Sequence, residues 1–73
     1  MRKNQHVVPH SEGWAVRSAG SQRVASVHDT QREAIQSGRQ AAIRQGSELL
    51  IHGRDGQIRE RNTYGNDLYP PKG

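Results

Sequence analysis

Cysteine and phenylalanine are both absent from this chain of 73 residues, and its aromatic set is one tryptophan and two tyrosines. Without cysteine there is no disulfide framework, no thiolate metal site and no thiol nucleophile, a composition suited to a reducing cytoplasm. Hydrophobic residues make up only 30% of the chain, and no apolar run approaches the roughly 20 residues of a membrane span. The opening MRKNQHVVPHSEG carries positive charge but no apolar core of signal-peptide length, so the expected setting is the cytoplasm, with no membrane partner. A chain this short buries only about 60% of the surface its unfolded form exposes, which limits it to one thin-cored domain. Small scaffolds supplement such cores with disulfides, metals or a partner subunit, and with the first excluded a homodimer is an open possibility.

Positive charge is what the chain has in excess: eleven Lys+Arg against seven Asp+Glu, a net charge of +4 and a pI near 10.4. Most of these cations are arginines, whose planar five-donor fork matches phosphate and carboxylate. An anionic partner is one reading of that surface; a solvated coat is the other.

The hydrophobic pattern predicts short strands at Gln5–Pro9, Trp14–Ser18 and Arg23–His28, separated by turns rich in Gly, Ser and Gln. Trp14 and Val16 share a face by alternation, and that face is the one expected to be buried. Thr30-Gln31-Arg32-Glu33 has the form of a capping box and opens a helix expected from Gln31 to Gln45, with Gly46 at the left-handed C-cap. Ala34, Ile35, Gly38, Ala41, Ala42 and Gln45 form its inner stripe, small enough for close approach to a sheet. Ile43 falls on the outer side with Arg32, Gln36 and Arg39. Glu48–His52 and Gln57–Arg61 then read as a hairpin, with Asp55-Gly56, both tolerant of positive φ, supplying the dipeptide that a tight turn favours. The fold class expected is therefore α+β: a β-β-β-α-β-β domain, an antiparallel meander with one helix on the sheet and a C-terminal hairpin, of undetermined strand order. Residues 1–63 make the domain, and 64–73, with its Pro-Pro pair, an extended or disordered tail unless Tyr64 and Tyr69 dock on the body.

No catalytic constellation stands out. Ser11, Ser26 and Thr30 can be combined with His10, His28 and Asp29, but without a nucleophile turn or oxyanion glycines the chain reads as no enzyme. The four histidines lack metal-site spacing, so no metal and no cofactor is expected, although strand pairing could gather His6, His28 and His52. Gly53-Arg54-Asp55-Gly56 precedes a strand and lacks a Walker ending, so it is a hairpin turn and no phosphate loop. The remaining candidate site is a nucleic-acid-binding set: Arg17 and Arg23 on the meander, with Arg54, Arg59 and Arg61 on the hairpin, where Arg59 and Arg61 are expected to share a face. Two functions stay open: a module binding DNA or RNA through an Arg-rich sheet face, and a protein-interaction or self-associating module with no nucleic-acid role.

Taken together, His6-Val7-Val8-Pro9, the pattern Gly13-Trp14 with Val16, the Thr30–Ala34 helix start, and His52-Gly53-Arg54-Asp55-Gly56 with Ile58 resemble the small bacterial family catalogued as domain of unknown function 2188. The resemblance runs over nearly the whole chain. It implies a compact bacterial module and brings no activity, substrate or site residue with it.

Overall fold

The computed structural model describes residues 3–64, which form β1 (Gln5–His10), β2 (Gly13–Ser18), β3 (Ser26–His28), α1 (Gln31–Gln45), β4 (Glu48–His52) and β5 (Ile58–Thr63). The expected meander is present, with β1 antiparallel to β2 and β2 to β3, and so is the β4–β5 hairpin. What joins them is a parallel pairing of β1 with β4, which puts the strands in the order β3-β2-β1-β4-β5. The sheet is mixed, and α1 covers one of its faces.

Local chemistry explains the helix limits. Thr30 sits in extended backbone and its side chain accepts from the Glu33 amide at 3.1 Å, while Gly46 adopts the left-handed conformation and donates to the Ala42 and Ile43 carbonyls. Arg44 in the last turn complements the negative end of the helix dipole. The third strand is shorter than the expected Arg23–His28. Ser21 draws the chain into a local turn there, its hydroxyl accepting from the Arg23 amide and donating to the Arg23 carbonyl, and this competes with ladder pairing.

Val7, Trp14, Val16, Leu49 and Ile51 project toward the helix and meet Ala34 and Ala42, with Ile35 and Tyr64 packed against them. The inner stripe is as small as its sequence implies, and the sheet comes correspondingly close: a Cβ on Gly38 would lie 2.8 Å from Leu49 Cδ1 and 3.2 Å from Val7 Cγ2. Gln5 is the buried polar member of this layer, donating to the Lys3 carbonyl and accepting from Ser18 Oγ. Ile43 is half exposed on the outer side of α1, as its helical position requires. Of the expected tail, Tyr64 docks on the body, its amide donating to the Ser47 carbonyl; residues 65–73 lie outside the described residues. Among the described residues no helix is long and apolar enough to cross a membrane.

Candidate binding face and its histidine pair

Because side chains alternate along strands, the positions between the core residues emerge on the face that α1 leaves uncovered. Cross-strand register then sets them in rows. Arg17, His6, Leu50 and Arg61 are successive partners across β2, β1, β4 and β5. Arg17 and Arg61 therefore flank the row about three strand spacings apart, roughly 14 Å. One level further along, Val27, Ala15 and Val8 are successive partners in β3, β2 and β1, and His52 and Ile58 continue that level on β4 and β5. Ala15 and Leu50 are buried among these neighbours, whereas Val27 is 40% and Ile58 52% exposed.

The parallel β1–β4 pairing brings His6 and His52 together, their rings 5.2 Å apart and tilted by 40°. His52 Nδ1 lies 2.9 Å from the Gly56 carbonyl, which can only accept, so this nitrogen carries the proton. In the neutral tautomer with that proton, His52 has its lone pair at Nε2, and His6 Nδ1, 2.9 Å away, is then the donor to it. Both imidazoles are held in fixed orientations by a chain anchored in the hairpin turn. His28, the third member of the suggested cluster, belongs to the opposite face, where Ser26 Oγ lies 2.8 Å from its Nε2. Among the described residues no group of three or more His, Cys, Asp or Glu side chains is arranged to hold a metal ion.

Burial, then His52, then Arg17 hold the pKa of His6 below its ordinary value of 6.5. The unfolded chain therefore binds more protons than the folded one between the lowered value and 6.5, and stability must fall as pH drops through that window. The urea midpoint is expected to decline from pH 7 toward pH 5, with a shallower decline in His6→Gln. An unchanged slope in that variant would remove His6 as the cause.

The five candidate arginines are not gathered at one place. Arg17 is exposed on the uncovered face, and among the described residues it has no salt-bridge partner. Arg61 is on that face too, 3.5 Å from Glu48. Arg23 stands on the β2–β3 loop. Arg59 does not accompany Arg61: a register shift between Ile51 and His52 makes Arg59 the extra residue of a bulge, where it meets Asp55 at 3.5 Å. Arg54 lies 5.5 Å from the Trp14 ring centroid, and together with Arg59 it rims a cleft of about 640 Å³ that also includes Asp29, Ile35 and Glu60. Trp14 is a core residue that also lines this cleft.

The hairpin turn also departs from expectation. Gly56 alone takes positive φ; Asp55 instead accepts the Gln57 amide through its side chain, and Gly56 donates to the Gly53 carbonyl. This five-residue connection is what aims the Gly56 carbonyl at His52. The histidine pair was not derivable from spacing, since it needs the β1–β4 register; the alternation of His6, Val8 and His10 with core residues is the signal that places His6 outside.

Residues 5–64 match the bacterial family described as "Uncharacterized protein conserved in bacteria (DUF2188)". The chain is also 36% identical over 66 residues to the uncharacterized protein YdaT of Bacillus subtilis (strain 168), an alignment covering 90% of this chain and 44% of that relative. It thus spans less than half the relative's length. No solved structure matches the chain significantly.

Proposed function

This chain belongs to the bacterial DUF2188 family, and from its own surface we propose that it is a non-enzymatic cytoplasmic module that binds nucleic acid through the uncovered face of its sheet. The observation that carries this reading is the pair Arg17 and Arg61, rising from one row of a face that no described element covers, in a chain of net charge +4. Two forked cations at that separation suit non-adjacent phosphates of a strand laid across the sheet, and the charge surplus steers a polyanion toward them. Arg23 extends the basic edge from its loop. Arg54 and Arg59 are secondary contacts at the hairpin end, since the first lies over Trp14 and the bulge takes the second out of the row that holds Arg61.

Fluorescence anisotropy with labelled DNA and RNA tests this reading. Binding should be saturable and should weaken steeply between about 50 and 200 mM salt. Arg17→Glu/Arg61→Glu should lose at least about tenfold in affinity and flatten the salt dependence, because both sites are exposed and their reversal repels phosphate. Equal binding by this variant would sink the proposal.

A second reading is favoured by a separate observation, the exposed Val27 and Ile58 on the same face. They suit self-association face to face. Edge pairing is less favourable, because β3 has three residues and β5 carries a bulge and three charged side chains. Light scattering that found a salt-insensitive dimer with no nucleic-acid affinity would select this alternative.

A further inference from the structure

The uncovered face holds more than its flanking arginines, and its centre discriminates between kinds of nucleic acid. We infer that His6 and His52 form a base-stacking platform and that the ligand class is single-stranded nucleic acid; this inference rests on the nucleic-acid reading above. The two half-exposed rings lie between Arg17 and Arg61, beside Val8 and Leu50. Imidazole offers a π face on which an unstacked base can lie, and sheet faces that recognise single strands combine such rings with cations for the backbone.

Three features of the pair point to single strands. Its rings meet edge to edge, nitrogen to nitrogen at 2.9 Å with centroids 5.2 Å apart, so they form one side-by-side platform on which a base can lie only after leaving its own stack. In a duplex both faces of an internal base are already occupied by its neighbours, leaving a sheet-borne ring nothing to stack on. The rings are also preorganised: the Gly56 carbonyl fixes His52, and His52 fixes His6. Little side-chain freedom remains to be lost when a base arrives. His6 is held toward its neutral form by burial, His52 and Arg17, so near neutral pH it presents a ring in place of an added cation.

The test measures anisotropy of a labelled oligothymidylate of about ten nucleotides, alone and annealed to its complement, against the wild-type protein, His6→Ala, His52→Ala, His6→Phe and Arg17→Glu/Arg61→Glu. Circular dichroism confirms that each variant is folded. The single strand should bind at least about tenfold tighter than the duplex. Each alanine variant should lose about fivefold on the single strand while keeping the wild-type salt slope, and His6→Phe should restore or exceed wild-type affinity by replacing one ring with another. If the duplex binds as well as the single strand and both alanine variants are harmless while the arginine variant fails, the platform is overturned and the nucleic-acid reading stands. If neither probe binds, both fall.

Discussion

Gly13→Ala is expected to lower the thermal midpoint by more than about 10 °C, a loss of roughly 3 kcal/mol or more at this domain size. Gly13 opens β2 with φ of 131°, a conformation L side chains rarely adopt, and an added Cβ would collide with the His28 carbonyl oxygen and lie 3.1 Å from that of Asp29. Both obstacles are backbone. His28 ends β3 and Asp29 leads into α1, so relief requires parting β2 from the junction on which the helix is mounted. Holding a side chain in such a region costs about 1 to 3 kcal/mol before any clash. A domain this small has a total stability of only about 4 to 11 kcal/mol. Gly20→Ala is the control: Gly20 also has positive φ, 80°, but nothing lies within 4 Å of its added Cβ, so it should lose only about 1 kcal/mol. Equal midpoints for the two variants would show that the His28 carbonyl is not the obstacle.

Leu49→Ala should cost about 2 to 5 kcal/mol, since Leu49 is fully buried at the centre of the helix–sheet contact. Its size is matched to the missing side chain of Gly38 opposite. Gly38→Ala improves intrinsic helix propensity by about 1 kcal/mol, yet it pushes a methyl to 2.8 Å from Leu49 Cδ1, and overpacking costs about 1 to 3 kcal/mol. The substitution is therefore expected to be neutral to destabilising in the wild-type background. In Leu49→Ala the obstructing methyl is gone, and Gly38→Ala should stabilise by about 1 kcal/mol, with Val7 Cγ2 at 3.2 Å limiting the gain. Urea unfolding of the four proteins closes a double-mutant cycle whose coupling should be about 1 to 3 kcal/mol. Simple additivity would mean that the helix does not approach the sheet at this point.

The proposed nucleic-acid binding and fold stability are expected to separate in these variants. Gly38 and Leu49 act on the layer between α1 and the sheet and Gly13 on the junction of β3 with α1, whereas Arg17, His6, His52 and Arg61 emerge on the uncovered face. Arginine reversal should leave the unfolding free energy within about 0.5 kcal/mol of the wild type, as exposed positions usually do. Affinity lost together with stability would point to unfolding and away from a binding face.

What this sequence determined by itself is what depends on neighbours along the chain. Thr30 and Glu33 start α1, Gly46 stops it, and the small residues between them set which side can approach a sheet. Alternation around Trp14 and Val16 identified the buried face of β2, and the turn-rich intervals marked the meander and the hairpin. The tertiary structure alone decided what depends on register between distant segments. The pairing of β1 with β4 crosses some forty residues, and no local preference in either strand selects a parallel neighbour. That pairing creates the His6–His52 contact and places Arg17 and Arg61 on one row. A single extra residue in β5 then removes Arg59 from the face on which strict alternation had put it, because side-chain direction has a period of two and one inserted position reverses it.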